Sequence, residues 1–274
     1  LVPRGSKELL EHLKIIIGCN KKVMIDPDYD PDGYFSAMIV KEAFDKLGFT
    51  NYEVNRHYKK RHGIDREDVV SIIKNEFDYV IILDSSINNI EEIKELNKYG
   101  VVVIIIDHHI LEIDEEEYPE ECLIIHNNHE NIEYDKVSAG LLTAMVFDYC
   151  LSKMGIKNNI SFYIIGYITL YSDSCDLDNR FNQSLIKNID KFSGYEPEML
   201  KDFMTEWDSL NRSFVSYNFI PRINALMRGN QFDILYKLFF MYNELEDVEK
   251  EYIRKYVDKF YRDSKKIRED IVEL

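Results

Sequence analysis

The chain has 274 residues, with 50 acidic against 34 basic side chains and a formal net charge of −16. That balance argues against a surface coated in basic groups for long nucleic acid, yet leaves room for a local basic groove. No apolar run approaches a membrane span, no signal peptide is visible, and the scattered Cys19, Cys122, Cys150 and Cys175 fit a reduced, cytoplasmic interior.

Leu1 to Ser6 reads as the remnant of a protease site and is set apart. From Lys7 to Phe192 strand and helix signals alternate, which predicts an α/β domain with a mostly parallel sheet flanked by helices. Lys22 to Ile25 is a strand that runs into Asp26-Pro27-Asp28-Tyr29-Asp30-Pro31-Asp32-Gly33. Tyr34 to Leu47 has a helical pattern, stopped by Gly48. Tyr52 to His57 is a short strand, and Arg56-His57-Tyr58-Lys59-Lys60-Arg61-His62 follows as the most basic stretch. Amphipathic helices are expected over Arg66 to Phe77 and Asn89 to Tyr99. Between them, Tyr79 to Leu83 is a strand ending on Asp84-Ser85-Ser86.

Val101 to Ile106 is a solid apolar strand, buried on both faces as in a parallel sheet, and it ends on Asp107-His108-His109. Cys122 to His126 is a further strand; His126 and His129 are read as loop residues outside the site. Val137 to Met154 and Ile160 to Leu170 are apolar enough for buried helices. Residues 193–274 form a helical region, with helices over Glu196 to Leu210, Gln231 to Tyr242 and a long charged Leu245 to Leu274. That last pattern has no cap, and is expected either to be cut short or to lead into a further domain.

Three strands thus deliver acids and imidazoles to their carboxyl ends, where open α/β sheets place their sites. Asp26, Asp28, Asp30 and Asp32 at alternate positions repel one another unless cations sit among them. An exposed acidic turn is the competing reading of that run alone. An EF-hand is excluded, because no Glu follows at the required position. Carboxylates with one or two His suit Mn²⁺ or Mg²⁺ better than Zn²⁺.

Asp-Tyr-Asp-Pro-Asp-Gly at 28–33, Leu-Asp-Ser-Ser at 83–86 and Asp-His-His at 107–109 resemble the first three motifs of the DHH phosphoesterases. Thr169-Leu170-Tyr171-Ser172-Asp173, followed by Asp178-Asn179-Arg180, resembles the fourth. Pro221-Arg222-Ile223-Asn224-Ala225-Leu226-Met227-Arg228 resembles a signature of the RecJ-type single-strand-specific exonucleases. The resemblance implies two divalent cations, Mn²⁺ or Mg²⁺, ligated by Asp30, Asp32, Asp84, His108 and Asp173. Asp32 and Asp84 would bridge, His109 would face the scissile phosphate, and Asp107 would orient His108. It further implies 5′→3′ hydrolysis of single-stranded DNA to 5′-mononucleotides.

Departures from the family pattern also stand in the sequence. Asp26 occupies a position where the family often has His, and is expected as a possible sixth ligand. Asp84-Ser85-Ser86 stands where Asp-x-Gly is usual, and the Gly-rich motif of the usual C-terminal substrate-binding domain is not found. Substrate grip is assigned to Arg56, Lys59, Lys60 and Arg61, with a solvated basic face as the alternative. Arg222, Asn224 and Arg228 either bind phosphate or sugar or fix the helical region to the sheet. Rival functions are hydrolysis of short oligonucleotides or cyclic dinucleotides, and a non-catalytic scaffold in replication or DNA repair.

Overall fold

The computed structural model describes residues 2–127, 136–205 and 208–272. Its centre is a five-stranded parallel sheet of β1 (Val23–Pro27), β2 (Tyr52–Val54), β3 (Tyr79–Leu83), β4 (Val102–Asp107) and β5 (Cys122–His126). The strand order is β2-β1-β3-β4-β5, so the order reverses between β1 and β3. A crevice opens at such a switch point, outside the strand carboxyl ends. The register pairs Val23 with Tyr79 and Pro27 with Leu83, which sets the acidic loop after β1 beside Asp84.

Both faces of the sheet are covered, which is why its strands read as unbroken apolar runs. Six helices accompany it: α1 (Ser6–Gly18), α2 (Pro31–Lys46), α3 (Arg66–Lys74), α4 (Ile90–Lys98), α5 (Ala139–Lys153) and α6 (Ile160–Ser172). Val23, Ile25, Ile81, Leu83, Ile104 and Ile106 join one core with α1, α2, α5 and α6. The alternate residues Met24, Val80, Ile82, Val103 and Ile105 join a second with α3 and α4. Each fully buried Ile or Val contributes roughly 1.5–3 kcal/mol over its exposed state. α6 is buried on every side, as its uninterrupted apolar sequence requires.

α2 starts a turn earlier than periodicity predicts. Asp30 caps it, its Oδ1 accepting from Gly33 N at 2.9 Å, and Pro31 takes the first helical position. Asp32 therefore lies inside the helix rather than in a loop. β2 is shorter than predicted: it ends at Val54, and the basic stretch is loop. The helix predicted over Glu196 to Leu210 covers only Glu198–Phe203, because Thr205 turns back onto the Asp208 carboxylate.

α7 (Arg180–Asn188) follows α6; beyond Ser193 no strand occurs among the described residues, and the chain continues as α8 (Glu198–Phe203), α9 (Ile220–Arg228), α10 (Phe232–Tyr236) and α11 (Asp247–Val272). π-type turns at Phe214–Phe219 and Lys237–Met241 adjoin α9 and α10. This region shares the larger core: the Phe35 ring of α2 lies 4.8 Å from Phe239 and 6.2 Å from Phe219.

His57 marks the seam between the basic loop and this core. It is buried against Tyr29 and Tyr34, with Tyr34 Oη 3.1 Å from its Nδ1. Burial, aided by the Arg61 charge, pulls its pKa down to about 3. The unfolded chain takes up this proton near pH 6.5 and the fold does not, so stability is complete above that pH and falls as pH drops toward 3. Between pH 7.5 and 5 the wild type is expected to lose about 2 kcal/mol more than His57→Phe in urea titrations. Parallel losses in the two proteins would contradict this.

Candidate metal centre

The loops after β1, β3 and β4 meet the N-terminus of α5 and the C-terminus of α6 over the switch point. Asp32 is fully buried, and its two oxygens accept from Ala139 N at 2.9 Å and Gly140 N at 2.8 Å. These are free amides of the first turn of α5, where a carboxylate is stabilised. A Cβ at residue 140 would lie 2.9 Å from Asp32 Oδ1 and 2.6 Å from Thr169 Cγ2, so glycine is required for this approach.

Asp84 leaves β3 with φ of +65° and turns its carboxylate into the same space. Both its oxygens are buried with no hydrogen-bond partner, and His108 Nε2 is in the same condition. That nitrogen lies 3.3 Å from Asp84 Oδ1, 3.4 Å from Asp173 Oδ2 and 3.8 Å from Asp32 Oδ2. Leaving a buried polar group unsatisfied costs roughly 1–3 kcal/mol, and more when it is charged. A divalent cation among these atoms would satisfy all of them, so the residues fit a metal.

The electrostatics describe the same deficit of positive charge. Burial, then the neighbouring Asp32 and Asp30, push the Asp84 carboxyl far above its ordinary range. Burial, then Asp30 and Asp173, raise Asp32 in the same way. Asp173 is also raised by burial, and His108 is lowered by burial. Asp30 sits at the edge of this group as the cap of α2.

Asp107 and His109 form a second unit. Asp107 Oδ1 accepts from His109 Nδ1 at 2.7 Å, from His108 N at 2.7 Å and from His109 N at 3.1 Å. The sequence assigns Asp107 to the His108 ring; in the structure it orients the His109 ring and reaches only the backbone of His108. The Asp107 hydrogen bond raises His109 to about 9. Burial works to raise Asp107, but the His109 donors outweigh it and hold the carboxyl below its ordinary range.

Asp26 is turned away from this group. Its Oδ1 accepts from Asn55 Nδ2 at 2.6 Å and from Arg61 Nη2 at 3.0 Å. Arg61 also pairs with Asp68 and is itself mostly buried. Lys59 pairs with Asp65 and Glu67, and Arg56 pairs with Asp233 and lies over the Tyr236 ring. Lys60 is exposed. In the helical region Arg222 bonds Asp258 and Asn218 and lies over Tyr261, which ties α9 to α11. Arg228 is exposed and Asn224 half-buried on α9. The same helix buttresses the acidic loop, since Tyr29 Oη donates to Met227 O at 3.0 Å.

Asp28, Cys175 and His126, which the sequence reading leaves out of the assigned site, His126 explicitly as a loop residue, also reach it. Asp28 Oδ2 lies 2.9 Å from His62 Nδ1. Cys175 Sγ lies 3.6 Å from Asp173 Oδ2, and His126 contacts the carbonyl of His109. The signal for Asp28 was its place in the acidic run; for Cys175 it was the two-residue spacing from Asp173. His129 lies outside the described residues.

Residues 22–167 match the DHH family, N-terminal domain. The prophage protein YorK of Bacillus subtilis strain 168, named provisionally as a single-strand DNA-specific exonuclease, is 29% identical over 195 residues. That match covers 68% of this chain and 31% of YorK. The single-stranded-DNA-specific exonuclease RecJ of the same organism is 26% identical over 243 residues, covering 84% of this chain and 29% of RecJ. The chain therefore spans less than a third of either relative. The crystal structure of RecJ from Thermus thermophilus in complex with Mn²⁺ superposes with a TM-score of 0.82 at 19% identity, covering 100% of this chain and 40% of that one.

Proposed function

The chain belongs to the DHH family, and from that membership we propose that it is a metal-dependent phosphodiesterase acting as a 5′→3′ exonuclease on single-stranded DNA. The observation that carries this reading is the buried Asp84 carboxylate, both oxygens unpartnered, facing an equally unpartnered His108 Nε2. Asp32, Asp84, His108 and Asp173 would hold one divalent cation, with Asp30 and Asp84 available to a second. The oxygen-rich donor set suits Mn²⁺ or Mg²⁺. Such cations lower the pKa of bound water and neutralise charge on phosphoryl oxygens. His109, fixed by Asp107, offers its Nε2 to a phosphate oxygen. Asp26 is left out of the ligand set, because Arg61 already neutralises it.

Exonuclease action on single strands is what the names of YorK and RecJ describe. Hydrolysis of short oligonucleotides or cyclic dinucleotides is the second reading. It is favoured by the ion pairing of Arg56, Lys59, Arg61 and Arg222 within the chain, which commits four of the seven assigned grip residues to carboxylates of the fold. A scaffold without activity fits poorly, since nearly all the acid and imidazole positions of the family motifs are filled. No described helix is long and apolar enough to cross a membrane.

The test uses a 5′-labelled and a 3′-labelled single strand, a dinucleotide and a cyclic dinucleotide, each with Mn²⁺ and with EDTA. Labelled mononucleotide is expected from the 5′-labelled strand at the earliest times, only with Mn²⁺. Turnover of the dinucleotides alone would select the second reading. No Mn²⁺-dependent turnover of any substrate would overturn both.

A further inference from the structure

Beside the candidate metal centre lies a cavity of about 400 Å³, lined by Asp28, His62, Asp84, Ser86, Asp107 and His109 among others. It contains two imidazoles held in the same manner. His109 Nδ1 is on Asp107 at 2.7 Å, and His62 Nδ1 is on Asp28 at 2.9 Å. A carboxylate on Nδ1 fixes the tautomer and the ring, and leaves Nε2 for a ligand. Asp107 is fully buried and Asp28 is 4% exposed, so each anchor is part of the interior.

The backbone is also built to hold His62 there. Gly63 has φ of +70°, and a Cβ on it would lie 2.8 Å from Ser86 Oγ and 2.9 Å from Asn89 Oδ1. Ile64 N donates to Ser86 Oγ at 2.8 Å, which latches this loop to the one after β3. Arg56, Lys59 and Arg61 of the same basic stretch are paired with carboxylates elsewhere. Among the residues of that stretch, His62 is the one that lines the cavity holding Asp84 and His109.

We propose that His62, held by the buried Asp28 carboxylate, binds a non-bridging phosphate oxygen of the nucleotide seated beside Asp84 and His109; this rests on the phosphodiesterase reading above. His62 and His109 then contact the phosphate from two loops of the sheet edge, and the grip assigned by sequence to lysine and arginine falls to an imidazole. A hydrogen bond to a charged phosphate oxygen carries roughly a tenfold effect on binding.

The variants are His62→Phe, which keeps a ring without a donor, and His62→Gln, which keeps a donor. The side chain is largely exposed, so neither disturbs the core. KM and kcat are measured on a 5′-labelled single strand with Mn²⁺, and Mn²⁺ binding is measured by calorimetry. His62→Phe is expected to raise KM about tenfold with kcat and Mn²⁺ affinity little changed, and His62→Gln to recover most of the loss. An unchanged KM in His62→Phe, or a KM loss matched by loss of Mn²⁺ affinity, would overturn the assignment. If the wild type turned over no strand, the phosphodiesterase reading would fall by itself. Calorimetric binding of deoxythymidine 5′-monophosphate would then decide His62: weaker binding by His62→Phe supports it, and equal binding overturns it.

Discussion

Replacing Asp84 is expected to abolish Mn²⁺-dependent hydrolysis, lowering kcat/KM by about 10³-fold or more, while the fold stays intact. Asp84 is the carboxylate nearest His108 Nε2, and no amide or hydroxyl competes for its oxygens. Asn is the cleaner substitution. The backbone at this position has φ of +65°, which Asn tolerates, whereas Ala adds about 1 kcal/mol of backbone strain. Without metal, Asp84→Asn is expected to be at least as stable as the wild type, because one of several mutually repelling buried carboxylates is removed. With Mn²⁺ at about a hundred times its Kd, the wild type should gain on the order of 5–10 °C in Tm, and the variant far less. Near-normal turnover together with a full Mn²⁺ shift in Asp84→Asn would remove Asp84 from the site.

The framework around Asp84 was legible because its signals are local. Apolar runs of strand length, each ending on an acid or imidazole, need only the rule that strands buried on both faces read as unbroken apolar runs and the rule that parallel sheets bind at their carboxyl ends. Those runs became β1, β3 and β4, within a residue or two of their expected limits. The start of α2 was missed because an acidic run reads as a loop, although Asp30-Pro31 is also a good cap and first turn. The partners of the charged residues were not legible. Arg61 and Asp26 are far apart in sequence and meet only through the parallel pairing of β1 with β2, so a basic cluster looked free when much of it is spent inside the fold. The Pro221-to-Arg228 signature was open between substrate contact and structural tie. Arg222 faces Asp258 of α11, and the link from α9 to the site runs through Met227 and Tyr29, which no spacing rule predicts.

The second large effect is expected at Asp107, a residue with no place among the ligands. Its Oδ1 accepts from three donors of His108 and His109, and its Oδ2 faces Ile87 N at 3.3 Å. Asparagine there has no satisfactory orientation. With the amide nitrogen toward Ile87, donor meets donor on that side; with it toward His109, donor meets three donors. Alanine would leave all four donors without this acceptor in a fully buried place, so asparagine perturbs the fold less. Asp107→Asn also removes the charge that raises His109 to about 9. In the metal-free variant the ring, followed by NMR, should titrate well below the wild-type value of about 9. Loss of ring orientation and of imidazolium charge together should lower kcat by about 10²-fold, with a smaller change in KM. The same positions at the His108 backbone hold the loop whose ring meets Asp84, so a modest fall in Mn²⁺ affinity should accompany the loss. A variant with wild-type kcat and a displaced His109 titration would show that His109 takes no part in turnover, and the phosphate would then be held by other groups of the same sheet edge.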